Sequence, residues 1–408
     1  MSDKLKIPTL RFKEFSDEWE EKKIGTIFKI TAGGDIKSEN VSFIKNDIYK
    51  YPIYANAEKR QGLYGYSDVY KIDSNVITVA GRGVNLGIAH ARKCKFYPIV
   101  RLLVLNSKID IDIDFFEYQI NNLHMHIEST GVPQLTAPQI SMYKIIFPQK
   151  QEQEKIASFL SSIDKKIEQL SKKDELLQSY KKGAMQKIFS REIRFKKEDG
   201  SDYPDWEEKE YSDIYTFYST NSLSRDKLNY TDGNIKNIHY GDIHKKFKTM
   251  FDVIKEKVPF VNIDVDISKI KEENYCSEGD LIIADASEDY ADIGKTIEIL
   301  NLNGEKLIAG LHTFLARPNK YNMKFGFMGY LLQSYKVRKQ VMTIAQGTKV
   351  LSLSTSRLGK VKLDLPCLEE QTKIANFLSS IDTKISQNKK ALEETKKFKK
   401  ALLQQMFV

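Results

Sequence analysis

Glycine-rich turns, paired carboxylates and histidines are the raw material of phosphate cradles, acid–base pairs and metal sites, and this chain holds several of each. Gly81-Arg82-Gly83-Val84-Asn85-Leu86-Gly87 follows a strand-like run, as a dinucleotide loop does, but Leu86 stands where the third glycine belongs and no helical pattern follows. Gly294-Lys295-Thr296 ends like a phosphate-binding loop, yet Asp289 occupies the place of its first glycine. Pro204-Asp205, Glu207 and Lys209 have the composition of a nuclease's metal-binding set, but they lie within one short segment and so cannot face one Mg²⁺ from separate strands. His124 and His126 are two apart, which puts them on different faces of a helix, and the remaining histidines are scattered, so no metal set forms. There is no Asn-Pro-Pro-aromatic tetrapeptide of the kind that seats a flipped adenine in an amino-methyltransferase. Spacing therefore argues against catalysis by this chain.

What remains is polar, aromatic and basic side chains on loops. In the first half these are Lys59, Arg60, Tyr64, Tyr66, Arg82, Asn85, Arg92 and Lys93. In the second they are Ser222, Arg225, Tyr240, His244, Lys245, Lys246, Gln346 and Lys349. Arg, Lys, Asn and Gln are the residues that hydrogen-bond guanine and adenine edges, while Lys and Ser on the phosphate backbone set register. A solvated surface loop has the same composition, so residue type alone leaves both readings open.

Composition narrows the classes. At 408 residues the chain exceeds one ordinary core, and two domains are expected. A net charge of +9 makes a polyanion partner plausible. Residues 1–147 carry 20 Lys+Arg against 17 Asp+Glu and residues 191–365 balance at 27 each, so no domain is a basic slab and selected side chains or a partner must supply the phosphate attraction. Three cysteines, far apart and odd in number, exclude a disulfide framework and a Cys-x-x-Cys metal site. The longest apolar runs are strand-sized, so no membrane span is expected, and MSDKLKIP lacks the apolar core of a signal peptide, which makes the cytoplasm the expected compartment.

The elements that must position the loops are legible as a duplication. Residues 155–167 read KIASFLSSIDKKI and residues 373–385 read KIANFLSSIDTKI, each opening about forty residues of helical pattern. Ile156, Leu160, Ile163 and Ile167 in the first, and Ile374, Leu378, Ile381 and Ile385 in the second, recur at alternating steps of four and three, a heptad seam that predicts helix pairing. Lys181 and Lys399 interrupt both seams at the same place, and polar seam residues fix register. Phe159 and Phe377 lie off the seam, where they pack on the domains, on a partner subunit or within the helix pair. Each helix predicts a rod of about 60 Å. Ahead of each helix, short apolar runs alternate with Gly, Asn and Asp turns, and RFK and Trp-Glu-Glu-Lys occur near both domain starts. IGTIFKI (24–30) predicts a strand, residues 114–128 a helix, residues 324–342 a second helix, and GVPQL (131–135) and GTKVLSLS (347–354) equivalent turns. The expected architecture is α+β: strand-rich domains at 1–147 and 191–365, each followed by a long helix, 148–190 and 366–408.

The repeated helices, the domain order, RFKEFSDEWEEKKIG at the start, the GT-x-V-x-x-L turn (347–353) and the phrase LPCLEEQTKIA (365–375) closely resemble the specificity (S) subunit of type I restriction-modification systems along the whole chain. Cys367 stands where a proline is common in that family, and GVPQL replaces the usual GT turn in the first half. The resemblance implies that the strand-rich domains are target-recognition domains, that the helices pack antiparallel as a spacer with pseudo-twofold symmetry, and that the chain itself catalyses nothing. It further implies double-stranded DNA, two methyltransferase subunits and, for cleavage, two restriction subunits as partners. S-adenosylmethionine, ATP and Mg²⁺ would be used by those partners and none bound here. An asymmetric bipartite DNA site follows, because the two domains differ in sequence. A structural adaptor that holds partner proteins through its coiled coil is the alternative reading.

Overall fold

The computed structural model describes residues 7–56, 59–123, 125, 134–319 and 323–408. The chain divides into two units: Met1–Lys172 with Lys389–Val408, and Lys173–Asn388. Each long helix contributes to both, α1 (Lys150–Phe189) and α2 (Leu368–Met406).

In the first unit the central sheet has the order Phe28–Ala32, Leu103–Ser107, Val76–Val79, Ala89–Arg92, all antiparallel. Val76–Val79 is buried at every position, as a β-branched run covered on both faces must be. A smaller sheet (Val41–Ser42, Leu63–Ser67, Tyr51–Tyr54, Tyr97–Pro98) lies beside it in sequence, and Glu20–Lys23 pairs with Lys144–Phe147. The helix Ile113–Asn121 starts where Asp112 accepts the Phe115 N–H, and it buries Phe115, Phe116 and Ile120 in the core; the expected continuation to 128 falls largely outside the described residues. Residues 131–133 of the GVPQL turn lie outside them as well, as do His124 and His126.

The second unit repeats the sheet order as Tyr215–Tyr218, Thr313–Pro318, Leu281–Ala284, Thr296–Asn301, and adds Met250–Asp252 parallel at the edge. Two expectations change. IGTIFKI is not one strand: Ile24–Ile27 forms a helical turn that buries Ile24 and Ile27 before the strand begins at Phe28, and Tyr211–Ile214 does the same in the second unit. The helix expected at 324–342 is two, Phe327–Leu331 and Tyr335–Ile344, because the chain turns at Gln333 and Ser334 and Ser334 is extended at ψ 148°.

Glu298 holds the first of those helices to the sheet. It is buried, and its carboxylate accepts the N–H groups of Gly326 (2.6 Å) and Gly329 (2.7 Å). A Cβ at 329 would lie 2.7 Å from Met250 Cε and 3.1 Å from Glu298 Oε2, so a side chain there would require the end of Met250 to shift and would crowd the carboxylate. Burial pushes the Glu298 carboxyl up to about 7, partly opposed by the two N–H groups. Below the ordinary value of 4.5 the group is protonated in both folded and unfolded chains; between 4.5 and 7 only the unfolded chain releases its proton, so stability falls as pH rises through 7. Thermal melts should show the second unit losing about 2 kcal/mol between pH 5 and pH 8 from this group, and Glu298→Gln should flatten that slope.

Candidate nucleic-acid interface

In the first domain three loops meet at one end of the central sheet. Asn56 ties them together, donating Nδ2 to the Val100 carbonyl (2.6 Å) and accepting the Gly81 N–H at Oδ1 (2.9 Å). Arg82 donates Nη2 to Gln134 Oε1 (2.9 Å), and Leu135 N–H donates to the Gly81 carbonyl (2.8 Å). Tyr64 is exposed, edge-on to Phe43. Tyr66 lines an open concavity of about 520 Å³ with Lys45, Lys50, Tyr51 and Lys95. Lys59 and Arg60 start the turn Lys59–Gly62, and their side chains lie outside what the structure describes.

Two expected loop contacts are corrected. Arg92 is buried: Nε donates to Thr78 Oγ1 (3.0 Å), Nη2 to the Gln61 carbonyl (2.5 Å), and the guanidinium lies 3.7 Å from the centre of the Tyr54 ring, so it joins sheet to turn instead of facing solvent. Desolvation lowers its pKa. Asn85 is buried in the turn after Gly83. Lys93 is exposed and ion-paired with Asp114 near the start of Ile113–Asn121.

In the second domain several candidates converge. Arg225 donates to both oxygens of fully buried Asp242 (3.1 and 3.2 Å), and Lys246 reaches Asp242 Oδ1 (2.8 Å) and Tyr230 OH (2.7 Å). The Tyr240 ring packs against His239, His312 and His244, with centroids at 4.6, 5.3 and 5.8 Å. Burial, and then the Arg225 charge, hold the His239 pKa down. His244 Nε2 donates to the Ala286 carbonyl (2.9 Å), and Ala286–Ser287 pairs with Leu351–Ser352, which ties in the turn carrying exposed Gln346 and Lys349. Ser222 and Lys245 are exposed. Sequence reasoning missed Asn56, Arg101, Asp242, Asp285 and His312. Arg101 in FYPIVRLLVL and His312 in KLIAGLHTFLA carried a signal, a lone basic residue inside an apolar run.

The helical joints have the same chemistry in each unit. In the first, Ile156, Leu160, Ile163 and Ile167 share a core with Leu402 and Met406 of α2 and with Phe407 just past its end. Asp164 accepts from Lys399 Nζ (2.5 Å) and Tyr118 OH (2.6 Å), with Lys399 over the Tyr118 ring. In the second, Ile374, Leu378, Ile381 and Ile385 share a core with Ile188 and Phe189 of α1. There Asp382 accepts from Lys181 Nζ (2.6 Å) and Tyr330 OH (2.7 Å), with Lys181 over the Tyr330 ring. The lysines that break the seams are partners of the repeat's aspartates. The four isoleucine and leucine seam residues of one helix thus meet the far end of the other helix, not the matching stretch.

A clamp from each domain start seats each helix. Arg11 pairs with buried Glu152 (2.7 Å), and Arg194 with buried Glu370 (2.8 Å), which also accepts from Trp206 Nε1 (3.0 Å). The adjacent Phe12 lies edge-on to Phe159 at 5.8 Å and Phe195 meets Phe377 at 5.6 Å, and both off-seam rings remain partly exposed.

Sheet, clamp and joint, each present twice, define a duplicated α+β chain with a polar, loop-built surface in each domain. The chain belongs to the family of type I restriction modification DNA specificity domains, whose model matches residues 16–178 and 203–397. It is 27% identical to the MjaVIII type I restriction enzyme specificity subunit of Methanocaldococcus jannaschii, over 95% of this chain and 91% of that one. It is 31% identical to a Mycoplasma pneumoniae type I specificity subunit, S.MpnORF507P, described as putative, over 33% of this chain; it spans only 37% and 46% of the length of two such subunits from that organism. In fold it is similar to the type I restriction-modification S subunit of M. genitalium, with TM-score 0.62, 17% identity, 98% of this chain and 99% of that chain covered. No cluster of three or more His, Cys, Asp or Glu suited to a metal occurs among the described residues, and no described helix is long and apolar enough to cross a membrane.

Proposed function

We propose that this chain is the DNA-reading subunit of a type I restriction-modification complex. Each target-recognition domain reads one half of an asymmetric bipartite site, the helices set the spacing, and two methyltransferase subunits, joined for cleavage by two restriction subunits, act on the DNA. Catalysis, S-adenosylmethionine, ATP and Mg²⁺ belong to those partners. The observation that carries this reading is the family match running through both halves, each with its own loop cluster at the sheet end. Two unlike readers on one chain suit half-sites about one helical turn apart, 34 to 36 Å.

Expressing the full chain with its methyltransferase subunit and mapping methylated adenines across the host genome tests the reading. A motif of two blocks separated by a fixed gap is expected; a single block, or no motif, would falsify it. Exchanging residues 191–365 for those of a relative should change one block only. Because Arg82 is tethered to Gln134, Arg82→Ala is expected to weaken modification through one half-site more than the other.

A further inference from the structure

Two exposed basic residues hold a backbone conformation that their side chains disfavour, at the same place in the two domains. Arg101 has φ 58° and His312 φ 54°. Strand pairing establishes the equivalence: the helical turns Ile24–Ile27 and Tyr211–Ile214 lead into strands in which Phe28 faces Ser107 and Tyr215 faces Pro318, so Ser107 matches Pro318 and, six residues earlier on the same strands, Arg101 matches His312. Glycine adopts left-handed backbone without penalty and asparagine with little, so arginine and histidine there store strain that a plain turn would not need. Strain of this kind is retained where a side chain has work to do. Elsewhere Asn303 is an asparagine in a turn, Arg191 lies just past the end of α1, and Gln61 (φ 52°) sits in the tight turn Lys59–Gly62.

The surroundings hold the turns and leave the side chains free. Val100, also left-handed, is fixed through its carbonyl by Asn56. The Arg101 side chain is exposed and makes no hydrogen bond or ion pair among the described residues. His312 is half-exposed, packed edge-on to Tyr240, with Nδ1 3.3 Å from Asp285 Oδ1, and Asp285 N–H donates to the His312 carbonyl (3.1 Å).

We propose that Arg101 and His312 are the matched base-edge readers of the two domains, each presented to the major groove of its half-site by the strained turn before the central strand. This rests on the DNA-reading function proposed above. The guanidinium carries paired donors for guanine O6 and N7. An imidazole whose Nδ1–H is directed to Asp285 offers Nε2 as an acceptor for the exocyclic amino group of adenine or cytosine.

The test is the methylated-adenine map of the full chain co-expressed with its methyltransferase subunit, for wild type, Arg101→Gly and His312→Gly. Glycine removes the side chain while suiting the left-handed turn, so thermal midpoints should hold or rise; His312→Asn, also tolerant of that turn, serves as a second variant. Arg101→Gly is expected to relax one block and His312→Gly the other, each with about tenfold or greater loss of modification rate at the wild-type site. If wild type yields a two-block motif while the variants keep that motif and rate, or lose modification equally on unrelated sequences, the inference is overturned and the proposed function stands. If wild type yields no two-block motif, the function itself is wrong.

Discussion

Glu370→Ala is expected to lower the stability of the second unit by about 3 to 5 kcal/mol, the usual cost of removing one partner from a buried ion pair. Glu370 is fully buried in the first turn of α2 and accepts three bonds, from Arg194 Nε (3.2 Å), Arg194 Nη2 (2.8 Å) and Trp206 Nε1 (3.0 Å). Without it the guanidinium keeps its bonds to the Tyr203 and Pro204 carbonyls and a 3.5 Å ion pair with exposed Asp205, and the indole N–H is left bare. Glu370→Gln retains an acceptor for one donor and should cost roughly half as much. Glu152→Ala in the first unit loses Arg11 but no indole bond, so its effect should be smaller. Urea midpoints of the full-length variants check the order; an alanine variant at 370 as stable as wild type would show that the clamp contributes nothing.

The second large effect concerns the helical joints. Asp164 and Lys181 on α1 have the same separation in sequence as Asp382 and Lys399 on α2. Inserting one heptad between Asp164 and Lys181 preserves the seam's face but moves one joint about 10 Å along the helix. One set of seam residues then loses its partners, at a cost on the order of 5 kcal/mol from about 1.5 to 3 kcal/mol per buried aliphatic side chain. A second heptad between Asp382 and Lys399 should restore both joints and with them wild-type stability. On the proposed function, methyltransferase subunits assembled on the doubly extended chain would modify sites whose gap is longer by about three base pairs, from the 10 Å added and 3.4 Å per pair. A doubly extended chain no more stable than the singly extended one would show that register is set elsewhere.

Much of this was open to reading in the sequence, for identifiable reasons. Duplication, helix extents and the KIIFP strand follow from repetition and periodicity, which are local properties. RFK and the tryptophans marked domain starts, but that arginine and tryptophan meet a buried glutamate in the second unit depends on contacts between distant residues. Lys181 and Lys399 read as interruptions, because their aspartates lie on the opposite helix. Arg92 looked like a loop cation in AHARK; which face of a short strand is covered is decided by what packs there, here Tyr54 and Thr78. The turns at Arg101 and His312 depend on φ, and composition records φ only when the residue is glycine.

Of the two tryptophans in the chain, one falls in each unit, and their surroundings are unlike. Trp19 is enclosed edge-on by Phe115 and Phe407, and its Nε1 has no hydrogen-bond partner among the described residues, whereas Trp206 is bonded to a carboxylate. Indole emission moves to longer wavelength as the excited dipole finds polar partners, so Trp19 should be the bluer emitter. The protein thus carries a separate optical reporter in each unit, and with single Trp→Phe variants the melting of either half can be followed without attaching a dye.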